Sequence, residues 1–135
     1  MFENMFNHVG LLNQGLDAYT KRLEVNSANI ANADTPGYKA KRVSFDEAFK
    51  DALSAVSFKG RKTSDRHIDI GAKSASDVVP VVYEENSTTM RMDGNNVDID
   101  QEMTDYSKNY IMYNTLATKL TKELGRISMT IKDFR

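Results

Sequence analysis

The sequence predicts a mainly α fold, in which N- and C-terminal heptad helices form a coiled-coil-like core and bracket a small, irregular α+β middle region. Apolar residues at both ends recur at alternating spacings of three and four, the pattern of a heptad helix, and this pattern stops in the middle of the chain. The 135 residues are too few for two full-sized domains. We therefore divide the chain into the N-terminal helix with its stop motif, 1–37, the middle region, 38–97, and the C-terminal helix, 98–135.

The N-terminal helix is predicted from one long heptad row. It ends at the segment from Asp34 to Gly37, because the residue before Pro36 avoids the helical conformation and Gly37 can adopt a positive φ. A second row, spaced by seven residues, runs through Leu11, Ala18 and Val25. The first row consists of Phe2, Met5, Val9, Leu12, Leu16, Tyr19, Leu23, Asn26, Ile30 and Ala33.

This first helix is weak by composition. Gly10 and Gly15 each cost about 1 kcal/mol relative to alanine, and the asparagines along it are mediocre helix formers. We therefore expect it to fold on assembly. Two heptad helices in one chain can also close on each other as an antiparallel hairpin. However, one partner helix cannot cover both apolar rows, so we favour a multi-helix assembly.

The C-terminal helix is predicted to begin after Asp98, whose carboxylate can cap it while Gln101 reaches back to the cap amide. Acidic residues lie in its first turns and basic residues in its later turns, which complements the helix dipole. Its heptad row consists of Ile99, Met103, Tyr106, Tyr110, Tyr113, Ala117, Leu120, Leu124, Ile127, Ile131 and Phe134.

The middle region is predicted to hold a short helix over 45–56, opened by a capping box at Ser44. Short extended segments are predicted at 66–70 and 78–83, the second suited to a sheet edge because it contains Pro80. The first half of the region is basic and the second half acidic, so the two halves either pair with a copy or relative of this region or form two solvated loops of opposite charge.

Composition argues against several classes of function. The chain has no cysteine, two histidines and no metal-ligand spacing, so we expect no metal, no cofactor and no enzyme activity. A net charge of -1 argues against nucleic-acid binding, and no apolar run is long enough for a membrane span. Nothing indicates a pocket for a small-molecule substrate. The first ten residues lack the pattern of a cleaved signal peptide.

Three segments resemble those of a known family. The segment from Asn26 to Tyr38 reads Asn-Ser-Ala-Asn-Ile-Ala-Asn-Ala-Asp-Thr-Pro-Gly-Tyr and closely resembles the N-terminal signature of bacterial flagellar rod and hook proteins. The segments from Met90 to Asp98 and from Tyr113 to Leu120 are similar to those of the basal-body rod proteins. This resemblance implies a structural subunit of the proximal rod, whose terminal helices pack as the innermost tube.

The resemblance also implies where the protein works and with what. Its location would be the rod of the flagellar basal body, in the periplasmic space, after export by the flagellar type III apparatus without a cleaved signal peptide. Its partners would be copies of itself and other axial proteins, namely the rod-base adaptor FliE and the rod protein FlgC. A cytoplasmic coiled-coil adaptor or chaperone is the alternative, which a soluble dimer would favour.

The predicted functional residues form an assembly interface. It combines parts of both heptad rows with the stop motif and with asparagines near the end of the first helix. A polar residue such as Asn26 in an apolar row typically fixes register, so we expect it and a neighbouring asparagine to bond another helix. The predicted interface residues are Val9, Leu12, Leu16, Tyr19, Leu23, Asn26, Asn29, Ile30, Asn32, Pro36, Gly37, Tyr106, Tyr110, Tyr113, Leu120, Leu124, Ile127 and Ile131.

Overall fold

The computed structural model describes residues 2–55, 78–86 and 91–133. It confirms a mainly α fold in which two long terminal helices pack together beside a small two-stranded sheet. The elements in chain order are α1 (Phe2–Ala31), β1 (Lys41–Ser44), α2 (Asp46–Ala55), β2 (Val81–Glu84) and α3 (Ile99–Asp133).

The helices α1 and α3 lie antiparallel. Asn26 of α1 bonds Asn109 of α3, whereas Gly15, a third of the helix earlier, lies against Leu116. A Cβ atom at Gly15 would come within 3.1 Å of Leu116 Cδ1, so the glycine permits this close approach. With 35 residues, α3 is about 52 Å long, and the subunit is therefore elongated.

The short helix α2 covers the second apolar row of α1. Ala18 is buried against Phe45, Ala52 and Val78, and Leu11 packs at the edge of this cluster. The second row is therefore covered by the subunit's own middle region. The expectation that one partner helix cannot cover both rows therefore agrees with the subunit, where α3 is joined by the middle region, and the multi-helix assembly stays a prediction.

The start of α2 differs from the predicted capping box. Ser44 ends β1, and the first helical bond joins the Phe49 amide to the Phe45 carbonyl at 2.9 Å. Phe45 therefore occupies the cap position, and Ser44 lies one residue too early for the box. The predicted strand at 66–70 and the end of the predicted helix at Val56 lie outside the described residues.

The sheet is an antiparallel pair of four-residue strands. Its register joins Lys41 to Glu84 and Ser44 to Val81. The strand β2 overlaps the extended segment predicted at 78–83, but it begins after Pro80, which fits a residue without an amide donor, and it runs one residue further, to Glu84. The partner strand β1 was not predicted.

Two turns place the ends of α1 and α3 side by side. The stop motif is confirmed, because α1 ends at Ala31 and Gly37 has a φ of 73°. Gly94, with a φ of 83°, lies at the end of the turn that precedes α3. Asp98 caps α3 as predicted, accepting the Asp100 amide at 3.0 Å. The Gln101 side chain does not reach back to the cap as predicted but donates to Asp105 Oδ2 at 3.2 Å.

Candidate assembly surface and polar junction

A buried carboxylate lies where α1 ends and α3 begins. The Glu102 side chain is 1% exposed. Its Oε1 accepts a hydrogen bond from Arg42 Nη1 at 2.6 Å, and its Oε2 accepts from Asn26 Nδ2 at 2.7 Å and from Asn29 Nδ2 at 3.2 Å. We call Asn26, Asn29, Arg42, Glu85 and Glu102 the polar junction. A carboxylate with charged and amide donors on both oxygens can remain buried without a large desolvation penalty.

Arg42 connects the helix pair to the sheet. Its Nε donates to Glu85 Oε2 at 3.0 Å while its Nη1 donates to Glu102. Burial lowers the pKa of the guanidinium, but the hydrogen bond to Glu85 and the charge of Glu102 outweigh burial and raise that pKa above its usual value. The arginine is therefore fully charged and holds the sheet against the helix pair.

The Asn29 side chain pairs with the backbone of β1 as a neighbouring strand would. Its Nδ2 donates to the Lys41 carbonyl at 2.9 Å, and its Oδ1 accepts from the Lys41 amide at 2.9 Å. The same oxygen accepts from the Tyr38 hydroxyl. Burial first, and then the charges of Glu102 and Glu84, raise the pKa of Tyr38, so this hydroxyl stays protonated and keeps donating. The asparagine thereby fixes the start of β1 on α1.

A second asparagine cluster joins the two turns. Asn95 Nδ2 donates to the carbonyls of Asn32, Ala33 and Thr35 at 3.1, 2.9 and 2.9 Å. Asn96 Oδ1 accepts the Ala40 amide at 2.7 Å. These bonds satisfy carbonyls that the end of α1 leaves free. The segments 26–38 and 90–98, two of the three that carry the family resemblance, therefore meet in one place inside the subunit.

One side of α3 remains open to solvent. We define the apolar face of α3 as its exposed row of Ile99, Met103, Tyr106, Tyr110, Leu124 and Ile131. The exposed fractions of these side chains run from 37% for Tyr106 to 58% for Ile131. Exposed apolar rows of this length mark interaction surfaces in soluble proteins.

The predicted interface residues divide into three groups. Asn26, Asn29 and Ile127 are buried within the subunit, so they serve contacts inside it. Pro36, Gly37, Tyr106, Tyr110, Leu124 and Ile131 are exposed. Val9, Leu12, Leu16, Tyr19, Leu23, Ile30, Asn32, Tyr113 and Leu120 are half-buried along the groove between the helices and at its edges.

Sequence reasoning missed several residues of the polar junction. Arg42, Glu85 and Glu102 were not singled out, although Glu102 sits at an acidic first turn that the helix dipole already explained. The asparagine pattern was the one signal for this cluster. The structure confirms that Asn26 and Asn29 bond another helix, which is α3 of the same chain.

The described residues contain no group of three or more side chains suited to hold a metal ion. Within the same ranges, no helix is long and apolar enough to cross a membrane. The polar groups are instead used internally, because every buried side-chain nitrogen or oxygen there has a hydrogen-bond partner. The fold and site define a class, an elongated helical building block with an internally satisfied polar cluster and an open apolar face.

Comparison with known proteins identifies the family within this class. A family described as flagella basal body rod protein matches residues 13–39, which cover the second half of α1 and the stop motif. The flagellar basal body rod protein FlgB of Aeromonas hydrophila is 32% identical over 124 residues, 91% of each chain. The FlgB proteins of Bacillus subtilis and Salmonella typhimurium are 35% and 36% identical, over 76% and 82% of this chain and 76% and 83% of their own.

The chain belongs to the FlgB family of flagellar basal-body rod proteins. It is accordingly a structural subunit of the basal-body rod. Nothing in these relatives supports the alternative of a cytoplasmic adaptor or chaperone.

Proposed function

We propose that this subunit belongs to the proximal rod and transmits torque through helix–helix packing with neighbouring axial proteins. Its neighbours are copies of itself, the rod-base adaptor FliE and the rod protein FlgC. The observation that carries the proposal is the apolar face of α3, which is exposed in the subunit and extends along most of a helix of 35 residues.

The apolar face is suited to burial because its flank is also uncharged. Ser107, Asn114, Thr121 and Ser128 follow it at seven-residue spacing. The hydroxyls of Ser107 and Thr121 donate to the carbonyls four residues earlier at 2.9 Å. A neighbouring helix can therefore cover Ser107 and Thr121 without leaving their hydroxyls unpaired.

Torque transmission requires many contacts in parallel and no single strong one. The exposed and half-buried members of the predicted interface provide such contacts along both helices, with the stop motif at one end. Helix packing of this kind is rigid because side chains interdigitate at interior density. No single interface residue need be indispensable. A charge introduced into the packed face, however, should disrupt the packing.

We propose a purely structural role without catalysis. A cleft of about 260 Å³ lies between α1, α3 and the sheet, but Arg22 and Arg42 in its lining are already paired with carboxylates.

We also propose export without a cleaved signal peptide and a final position in the periplasmic part of the basal body. A weak first helix suits a chain that must cross a narrow export channel unfolded.

The test is Leu124→Asp in a strain that lacks the native gene. Leu124 is 49% exposed, so the free subunit should unfold at the same denaturant concentration as the wild type. In an assembled rod, an uncompensated charge at this position should cost about 3–5 kcal/mol and abolish motility. Thr115→Asp is the control, because it introduces the same charge half a turn around α3, at an exposed site beside basic residues.

Motility should persist in the Thr115→Asp strain, and both variants should still be detected outside the cytoplasm. Normal rods with Leu124→Asp would refute burial of the apolar face. Equal loss of motility in both strains would show that any added charge on α3 disturbs the subunit, and the proposed interface would have no support.

A further inference from the structure

Met92 is the most exposed methionine that the structure describes. Its accessible surface is 111% of the value for a fully exposed methionine, compared with 57% for Met103, 45% for Met112 and 62% for Met129. No contact with the residues that the structure describes explains an apolar side chain there. Methionine is flexible and polarisable, which suits it to fill an apolar surface on another molecule.

The backbone on both sides of Met92 is held firmly. The Arg91 amide donates to the Asn95 carbonyl at 3.2 Å, and the Gly94 amide donates to the Arg91 carbonyl at 3.1 Å. The Gly37 amide donates to the Asp93 carbonyl at 3.0 Å, which joins this turn to the stop motif. The side chain is therefore presented by a fixed turn, so docking it would cost ordering entropy of the side chain alone and not of the backbone.

Polar groups surround the base of this side chain. Arg91 Nη1 donates to the Ala33 carbonyl at 2.8 Å and to Asp34 Oδ1 at 3.3 Å, and Asp93 is exposed. An apolar centre within a polar rim is the usual arrangement of an energetically important contact between proteins.

We propose that Met92 docks on the apolar face of α3 of a second copy of this chain. The inference rests on the proposed function, because it assumes that copies of the subunit pack together. The turn lies at one end of the elongated subunit, whereas the apolar face runs along its side. A contact between two different surfaces is heterologous, so it does not form a closed two-fold dimer, and it can propagate as the helical assembly that a rod requires.

Methionine oxidation tests the contact in the assembled protein. Purified chain and isolated basal bodies are treated with hydrogen peroxide, and mass spectrometry with fragment spectra locates each sulfoxide. Because oxidation follows exposure, we expect Met92 and Met103 to react about tenfold more slowly in the rod than in the free chain.

The pattern of protection separates the two proposals. Protection of Met103 with Met92 reacting as in the free chain would overturn the inference and leave the proposed interface intact. Protection of Met92 without Met103 would overturn the assignment of the receiving face. If neither residue is protected, the proposed function fails as well.

Substitutions provide a second readout. Met92→Gln should leave the unfolding midpoint of the free chain unchanged, because the side chain contacts nothing in it, but should reduce the number of assembled rods. Met92→Leu keeps an apolar side chain of similar size and should restore assembly. Wild-type rod numbers with Met92→Gln would overturn the inference.

Discussion

At the scale of single residues, the asparagines near the end of α1 form hydrogen bonds within the subunit. Asn26 lies in an apolar row, where leucine would bury more surface, yet its amide donates to Glu102 and its oxygen accepts from Asn109. A slip of one turn along α3 would break both bonds. The register that such a polar residue fixes is therefore the register of the subunit's own two long helices.

Glu102 is the centre of these contacts, and its replacement should be severe. Glu102→Leu leaves the Arg42 charge without its buried partner and removes the acceptor of Asn26 and Asn29, so we expect a loss of about 3–5 kcal/mol in the free energy of unfolding. Glu102→Gln keeps one carbonyl acceptor at the same site and should lose clearly less. Urea unfolding of both purified variants measures the difference, and equal losses would show that the junction depends on the charged carboxylate and that a single carbonyl acceptor contributes nothing.

At the scale of elements, the long helices were predictable and the covering of their faces was not. Heptad spacing, the stop at Pro36 and Gly37 and the Asp98 cap identify α1 and α3 within a few residues. The spacing shows which positions are apolar, but not what covers them. In the structure, Ala18 is buried by the middle region, whereas the members of the predicted row from Val9 to Leu23 are half-buried.

The same limit applies to α3 and to the sheet. Ile127 faces α1, while Leu124, from the same predicted row, faces solvent. The strand β1 has a weak pattern, because only Val43 among its four residues favours strands. It is held by contacts distant in the sequence, the Asn29 side chain on one edge and β2 on the other. Sequence periodicity does not record such contacts, so the polar junction was found only in part.

The helical glycines offer a test at this scale. A Cβ added at Gly125 meets nothing within 4 Å, whereas one added at Gly15 lies 3.1 Å from Leu116 Cδ1. Gly125→Ala should therefore stabilise the free chain by about 1 kcal/mol, the intrinsic helix preference of alanine over glycine. Gly15→Ala should gain less, because Leu116 must move. Urea unfolding of the two variants decides the point, and equal gains would mean that α1 and α3 do not approach closely at Gly15.

At the scale of the whole molecule, the polar contacts between segments concentrate at one end. The polar junction and the second asparagine cluster both lie where α1 ends and α3 begins. Toward the opposite end, Gly10 and Gly125 have open space around the position of a side chain. These polar contacts therefore hold the two long helices together mainly at one end of the subunit.

This asymmetry predicts a gradient of amide hydrogen exchange in the free chain. Residues 26–33 and 99–109 should exchange slowly, because their opening breaks the buried bonds of Glu102 and Asn95, while 7–12 and 122–132 should exchange faster as the ends open locally. Assembly should slow exchange at those ends by covering the apolar face of α3, so isolated basal bodies measured under the same conditions provide the comparison. Uniform slow exchange in the dilute free chain would show a hairpin that is complete without neighbours, and it would contradict the expectation that the open end folds on assembly.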